Sequence, residues 1–581
     1  FSAISYFFNV SYKLNDAHKF AFNVFGAKQR HGQRQNRSLI NDYRLSDRGT
    51  RYNPDWGYKN GEVTNIEDNF YHKPLASLNH YWRINDNSKL STSFYGSTGT
   101  GGGGGIAGDE SSKFSDPNYK IGNFGPVDLD RIIDENMANG ANGSTALLRA
   151  SRNDHVWVGA LSIFNTKLSD YIDLNVGADY RYYVGEHFQE VTDLLGGQYF
   201  FSDDDINNPV RNTRVGDKIN YHDKGYHEYI GSFGQVEYDN EDFSAFLAAN
   251  INNSRYQRED FFQKLDSDSN QLTDVQSFTG FGGKLGGNYR TDGMHNVFFN
   301  AGYFERVPFL DDVWLNFSND DLNEAVQNQK ITSFELGYGL RTQKLSANLN
   351  VYHTIWKNRT ETADQGTGED LITANINGLE ALHQGVEFDF EFRPLDYLTV
   401  TGMLSFGDWT WNNNVTDVPF FDIDRNIVPQ IDSDGNPLLD TNGDIIPETT
   451  DIFLKGVPVG RSAQTTSALG LKLDLSSKTS FSLDYNFYDR YYADFNLQSR
   501  NSAATLDTKP WQVPSYSLTD IILKHSFDFG SFDATIVGRI YNLFDEEFIN
   551  RADDGNTSSA ADALVFFGQG RTFSISTRIN F

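Results

Sequence analysis

Apolar and polar residues alternate with a period of two along most of the chain. In the segment 386–392, valine and phenylalanine residues alternate with glutamate and aspartate. The same alternation recurs at 345–351, 469–475 and 481–487. Because successive side chains of a β-strand point to opposite faces, each segment predicts a strand with one apolar and one polar face. Helical periodicity is weak and confined to 127–139, so we predict an all-β protein.

The connections between these segments alternate in length. Nine short turns and nine long polar stretches predict 19 strands. The longest stretches lie near 29–72, 98–152, 185–226 and 410–460. Short turns at one end and long loops at the other are typical of antiparallel barrels of the outer-membrane type. Most segments have ten or more residues, which is long enough for a tilted strand to cross a membrane.

A soluble β-sandwich or propeller is the alternative fold, and it would also show alternation. Its strands would be about 5–6 residues long, and its loops would not separate into a short and a long set. Aromatic residues such as Tyr81 and Trp82 lie near predicted strand ends, as the aromatic girdles of membrane barrels do. We therefore predict one transmembrane β-barrel over residues 1–581.

Composition narrows the choice of function. The 581 residues include 49 Lys and Arg against 78 Asp and Glu, a formal charge of −29. Such a charge disfavours nucleic acid as a partner, because binding a phosphate backbone requires concentrated positive charge. The chain has no cysteine, which excludes disulfides, thiolate metal sites and cysteine nucleophiles. No G-x-S-x-G, H-E-x-x-H or phosphate-loop motif is present, and we predict no enzymatic activity.

Several short motifs resemble those of a known family. Tyr541–Asp545 (YNLFD) followed by Phe567–Arg571 (FGQGR) resembles the C-terminal end of TonB-dependent outer-membrane receptors. Tyr491–Phe495 and Phe25–Gln29 resemble variants found in Bacteroidetes members. The resemblance runs from the first strand to Phe581.

The chain also ends like an outer-membrane protein. Phe581 is an aromatic last residue, and Phe573 and Ile579 are in phase with it. This pattern resembles the closing strand that the barrel-assembly machinery recognises, so these three residues are the predicted assembly signal.

The resemblance implies a longer protein. Receptors of this family have a plug of roughly 150 residues before a plugged barrel of about 22 strands. With 19 strands here, and with both terminal strands running inward, an odd number of strands is needed to close the barrel. We expect that the plug and about three strands precede this sequence.

One segment is a candidate metal site. Its carboxylates and amides are closely spaced, as Ca²⁺ requires, although its glycines do not follow the EF-hand spacing. Two consecutive hairpin turns are the alternative, because Asp-Gly and Asn-Gly favour turns. No other cofactor is expected. The candidate calcium ligands are Asp432, Asp434, Asn436, Asp440, Asn442 and Asp444.

Two further sets are candidates for substrate binding. Lys28, Arg30, Arg34 and Arg37 form a basic patch that could hold an anionic substrate or a lipopolysaccharide phosphate, or could pair with acidic neighbours instead. Tryptophans of the loops would stack on sugars, although the same composition suits peptides or metal chelates. These tryptophans are Trp56, Trp314, Trp409 and Trp411. The glycine-rich stretch Gly99–Gly105 predicts a loop.

The resemblance implies TonB-dependent active uptake of a substrate across the bacterial outer membrane. The expected partners are membrane lipid, lipopolysaccharide and, through the plug, the TonB complex; a surface lipoprotein or another outer-membrane protein is a further option. A passive porin-like channel is the alternative, and a non-transporting scaffold or adhesin is the third.

Overall fold

The computed structural model describes residues 1–365, 372–422, 427–441, 443, 445–496 and 498–581. Within them, nineteen long strands follow one another, and each pairs antiparallel with the next. They are β1 (Ser2–Lys13), β2 (His18–Gly32), β3 (Leu75–Arg83), β4 (Ser88–Ala107), β5 (Leu147–Ser169), β6 (Ile172–Asp193), β7 (Lys218–Asp239), β8 (Phe243–Asp260), β9 (Gln276–Arg290), β10 (His295–Arg306), β11 (Gln329–Arg341), β12 (Leu345–Gln365), β13 (Ile372–Leu395), β14 (Leu398–Trp411), β15 (Ala463–Ser476), β16 (Thr479–Tyr492), β17 (Tyr516–Asp528), β18 (Asp533–Tyr541) and β19 (Thr572–Asn580).

The prediction of a large antiparallel sheet is confirmed. The strands are joined alternately by turns of two to four residues and by longer connections. In the described part of the chain, β1 pairs only with β2, and β19 pairs only with β18. The three additional strands and the plug remain predictions.

The sheet curls so that its two ends approach each other on the side of the long loops. Ser38 and Leu39, between β2 and β3, pair with Val565 and Leu564, between β18 and β19. The hydroxyl of Tyr43 also donates to the carbonyl oxygen of Val565 at 2.9 Å. Contacts between the first and last loops require the meander to wrap around a central space, as a barrel wall does.

Short elements build the loops. Helix α2 (Leu129–Ala138) confirms the weak helical periodicity, and the Asp128 side chain caps it by accepting from the backbone N–H of Arg131. None of the helices among the described residues is long and apolar enough to span a membrane. Within the described residues the other α-helices are α1 (Ile40–Leu45) and α3 (Leu310–Val313), and the short strands are Ser38–Leu39, Trp56–Lys59, Glu62–Asn65, Asp68–His72, Val127–Asp128, Phe200–Ser202, Arg211–Thr213, Val415–Phe421, Thr449–Ile452, Gln512–Val513, Ile549–Asp553 and Leu564–Phe567.

Several strands extend beyond the predicted loop boundaries. Strands β4 to β7 have 20 to 23 residues, more than the roughly 9–11 that cross a bilayer. Their outer portions face water on the outside as well as the inside, so apolar residues need not alternate there. The sequence pattern therefore fades before the strand ends, which is why the loops near 98–152 and 185–226 were predicted too long.

The prediction of a loop at Gly99–Gly105 is wrong. This stretch lies inside β4 and pairs with β5 and with Asp68–His72. Large neighbours occupy the space that side chains would take: a Cβ atom at Gly101 would lie 2.7 Å from that of Tyr71, and one at Gly105 2.6 Å from Cζ of Arg149. Glycine marks close approach here, not a turn.

The register assigns the two faces of the sheet. Val386, Phe388 and Phe390 pair with Val351, Leu349 and Ala347, which gives a continuous apolar face. Val386 and Phe388 are 41% and 39% exposed, and so much apolar surface is stable only in contact with lipid. On the opposite face, Asp389 accepts a hydrogen bond of 3.0 Å from Asn348. The polar face therefore lines the lumen.

We expect a lysine to be tolerated on only one of these faces. Phe388→Lys should lower the free energy of unfolding by about 2–4 kcal/mol, because it places a charge in lipid near the midplane. Asp389→Lys, one residue away on the lumen face, is the matched control and should cost much less. Urea titration followed by gel migration of unheated protein measures both, and equal losses would contradict the face assignment.

We expect Phe581 to serve assembly. Phe581 is fully exposed at the end of β19, and Ile579 and Phe573 share its face. Deleting Phe581 should reduce the amount of folded, membrane-inserted protein, whereas Phe544→Ala, at an exposed loop phenylalanine, should not. Normal insertion after the deletion would show that the assembly signal lies elsewhere.

Candidate functional site: the aromatic lumen wall

Aromatic rings lie flat against the lumen face of β4 to β14. Each covers a glycine, either directly across the strand pair or two residues along its own strand. A Cβ atom at Gly302 would lie 2.7 Å from Cε2 of Phe304, and one at Gly407 would lie 2.7 Å from Cε2 of Trp409. The eight ring–glycine pairs are Tyr95–Gly159, Phe233–Gly177, Tyr229–Gly231, Phe246–Gly286, Phe304–Gly302, Phe298–Gly337, Tyr352–Gly385 and Trp409–Gly407. We call these eight rings the aromatic wall.

Glycine explains why the rings lie flat. With no side chain on the partner, a ring can cover the bare backbone, an arrangement that also shields a strand glycine from water. All eight rings are partly exposed, although a cationic side chain lies over the rings of Tyr229 and Phe246. The wall therefore offers ring faces for stacking.

Hydrogen-bonding groups lie beside the rings. The Arg181 guanidinium lies 4.5 Å from the ring centre of Tyr229 and forms an ion pair of 2.6 Å with Asp179. Lys284 lies 5.1 Å above the ring of Phe246. Ring faces next to charged groups and amides suit a ligand with flat apolar faces and a polar rim.

The upper end of the wall, near the long loops, is held by direct hydrogen bonds. Trp409 donates its indole N–H to the hydroxyl of Tyr352 at 2.9 Å, and its ring lies 5.7 Å from that of His383. Trp356 donates to Gln329 at 3.0 Å. The Arg359 guanidinium lies within 5.1 Å of the rings of Trp356 and Trp411.

The four tryptophan candidates have different environments. Trp409 belongs to the aromatic wall and Trp56 is partly exposed in a loop, where Arg48 lies 4.8 Å above its ring. Trp314 and Trp411 are buried at 2% and 3% exposure in separate loop cores. As placed, these two rings stabilise loops and offer no open face to a ligand.

The four residues of the basic patch also have different environments. Arg34 donates to the carbonyl oxygen of Phe567 at 2.8 Å, and Arg37 forms an ion pair with Asp553, so both join the first loop to the last. Arg30 pairs with Asp68 at 2.6 Å but stays largely exposed, as does Lys28. Anion binding at Lys28 and Arg30 remains a prediction.

The candidate calcium segment forms turns. Asp432 accepts hydrogen bonds of 2.9 Å from the backbone N–H groups of Asp434 and Asn436, which lower the pKa of its carboxyl. Asn442 and Asp444 lie outside the described residues. In the described part of the chain, no group of three or more His, Cys, Asp or Glu residues is arranged to hold a metal. Calcium binding remains a prediction.

Isolated backbone bridges agree with the alternative prediction of two consecutive hairpin turns in this segment. Three bridges join residues six apart: Phe421 to Ile427, Ile431 to Pro437, and Leu439 to Ile445. Each of these bridges begins at an apolar residue that is followed in the sequence by aspartate. The bridges Ile431–Pro437 and Leu439–Ile445 thus mark two consecutive chain reversals.

Several charged side chains at the strand ends and in the loops are buried or partly buried. Arg258 is 1% exposed and donates to Asp260 at 3.0 Å and to Asn319 at 2.6 Å, which ties the loop after β10 to β8. In the first loop, burial raises the pKa of Glu67 to about 7. In the loop before β17, burial raises the pKa of Asp494, although Arg461 pairs with it.

Solved structures share this fold. The ferric citrate transporter FecA in its unliganded form is 12% identical, with a TM-score of 0.63, and the match covers 100% of this chain and 70% of that one. The siderophore receptor PiuA from Acinetobacter baumannii is 11% identical, with a TM-score of 0.62 and coverage of 99% and 74%. The ferric-catecholate import receptor Fiu from E. coli is 13% identical, with a TM-score of 0.58, and the match covers 99% of this chain and 74% of that one. No curated sequence relative matches the chain.

The curved antiparallel sheet, with an exposed apolar face and a polar face, defines an outer-membrane β-barrel protein. Residues 4–543 match the family described as TonB dependent receptor-like, beta-barrel. The chain belongs to this family, whose members are receptors and transporters of the outer membrane, not enzymes, and work with the TonB complex. The resemblance that the sequence motifs gave is confirmed at the level of the family.

We expect the rings to depend on the glycines that they cover. Gly337→Ala should lower the free energy of unfolding by about 1–3 kcal/mol, because the new Cβ would overlap the ring of Phe298 and displace it. Gly103→Ala, on the lumen face of β4, is the control, because its Cβ would have no heavy atom within 4 Å. Equal stability of the two variants in urea would mean that the ring is not held flat.

Proposed function

We propose that this chain forms the barrel wall of a transporter that takes up a substrate across the outer membrane with energy from the TonB complex. Membership of the family carries this proposal. The outer membrane has no ATP, so the energy would come from the inner-membrane proton gradient through a plug inside the barrel. We infer a Bacteroidetes-type member from the motifs at Tyr491–Phe495 and Phe25–Gln29.

The aromatic wall is the proposed substrate path. It extends from Trp409, near the long loops, to Phe246 and Phe298 closer to the short turns. Weak stacking at successive rings would let a ligand move from one to the next without being trapped. Sugars, aromatic chelates and peptides with aromatic side chains all have the necessary flat faces. FecA, PiuA and Fiu are named for ferric citrate, siderophores and ferric catecholates.

The lumen wall also supports the presence of a plug. Its polar face carries many charged groups, including Glu387, Asp389 and Lys284, some of which bond to neighbours on the wall. A folded plug would offer them further ion pairs and hydrogen bonds. On the loop side, Lys28 and Arg30 are the proposed contacts for lipopolysaccharide phosphate.

Conductance distinguishes the transporter from a passive channel. We expect the intact full-length protein in planar bilayers to be closed at rest, because a plug fills a lumen that would otherwise leak ions. A steady, large single-channel conductance would contradict the proposal and favour the porin-like alternative. A closed protein that moves no cargo when the proton gradient is present would favour the scaffold.

A further inference from the structure

Two histidines lie side by side on the outer face of the sheet, near the short turns. His18 is the first residue of β2, and His80 lies three residues before the end of β3. The Nδ1 atom of His18 is 3.0 Å from the Nε2 atom of His80, a distance at which one imidazole ring donates a hydrogen bond to the other. We call these two residues the histidine pair.

The spacing along both strands places the histidine pair on the lipid face. Along β2, His18 is four residues from Phe22, which is 41% exposed. Along β3, His80 is two residues from Leu78, which pairs with Phe22 and is 45% exposed. Even spacings put both histidines on the same face as these apolar residues. Because the turn 14–17 ends directly before His18, the pair lies where the lipid meets water.

Neighbouring aromatic rings fix the orientation of the histidine pair. The ring centre of Trp82 is 5.6 Å from that of His18. On the other side, the ring centre of Phe20 is 4.6 Å from that of His80. The planes of the two imidazole rings differ by only 13°. Side chains that packing already holds in place lose little further conformational freedom when they bind a ligand.

The separation of the two ring nitrogens fits a metal ion with square geometry. Two nitrogens that are each about 2.1 Å from an ion, at right angles to each other, lie about 3.0 Å apart. At the corners of a tetrahedron, the same bond length separates them by about 3.4 Å. Imidazole is a ligand for Cu²⁺, Ni²⁺ and Zn²⁺, and among these Cu²⁺ combines a preference for square geometry with the highest affinity.

We propose that the histidine pair binds one Cu²⁺ ion on the outer surface of the barrel, at the end with the short turns. A rotation of the two rings would turn Nδ1 of His18 and Nε2 of His80 toward the ion. The ring proton between these nitrogens would move to the far nitrogen of its own ring, so the net charge of the pair would not change. In the described part of the chain, no group of three or more His, Cys, Asp or Glu residues is arranged to hold a metal, so water would complete the coordination.

The bound ion would join two strands that are distant in sequence. Strands β2 and β3 pair with each other but are separated by residues 33–74. An ion that binds only when the strands are paired stabilises the folded state. This inference goes beyond the proposed function, because it requires neither a cargo nor a plug.

Electron paramagnetic resonance tests the proposal directly. One equivalent of CuSO₄, added to the metal-free full-length protein in detergent near neutral pH, should give the spectrum of a tetragonal Cu²⁺ ion split by two nitrogens. The ion should also quench the fluorescence of Trp82, which is close to His18. Trp82→Phe should remove that part of the quenching and leave the spectrum of the ion unchanged.

Substitution of either histidine should weaken the site. His18→Gln and His80→Gln should each lower the affinity for Cu²⁺ at least tenfold in equilibrium dialysis, because one of the two protein ligands is lost. His295→Gln is the matched control. His295 also directly follows a short turn, but its partner is the hydroxyl of Tyr338, at 2.6 Å, so this variant should bind Cu²⁺ as the unchanged protein does.

Two results would overturn the proposal. One is a spectrum of the unchanged protein without splitting by two nitrogens, which would mean that the histidines bind only each other. The other is an equal affinity for Cu²⁺ in the unchanged protein and in both histidine variants, with gel migration of unheated protein showing that all three are folded. Tighter binding of Zn²⁺ than of Cu²⁺ would contradict the square geometry.

Discussion

The structure depends on one constraint: a chain in lipid must satisfy every backbone N–H and C=O group itself. Nineteen strands paired each to the next achieve this between β1 and β19. Pairing fixes the register, and the register fixes which side chains face lipid and which face the lumen. Contact between Ser38 and Val565 shows the same sheet curving until its first and last loops meet.

The lipid face and the lumen face of the sheet therefore differ in the side chains that they accept. The outer face needs only apolar side chains, whereas the inner face can vary from strand to strand. On β4 to β14 it is covered by flat rings over glycines, and on β15 to β19 by cations among serines. One continuous sheet thus presents a stacking surface on one side of the lumen and a charged surface on another.

The sequence predicted the parts of the fold that follow from alternation. Val386, Phe388 and Phe390 were assigned to the lipid face because nothing else explains an apolar residue at every second position. Gly99–Gly105 was misassigned because its close neighbours, such as Tyr71, are distant in sequence. The aromatic wall was missed for a similar reason: Phe246 follows Ala245 and precedes Leu247, so alternation does not show its face.

The candidate site was therefore only partly predictable. Trp409 was among the candidates, but its partner Tyr352 is brought to it by pairing across β12, β13 and β14. Spin labels placed singly at positions 384 to 392 test the central claim most directly, because the chain has no cysteine to interfere. Oxygen from the lipid should reach labels at 386, 388 and 390, and a water-soluble nickel chelate should reach those at 387, 389 and 391. Accessibility without this alternation would contradict a lipid-embedded barrel wall.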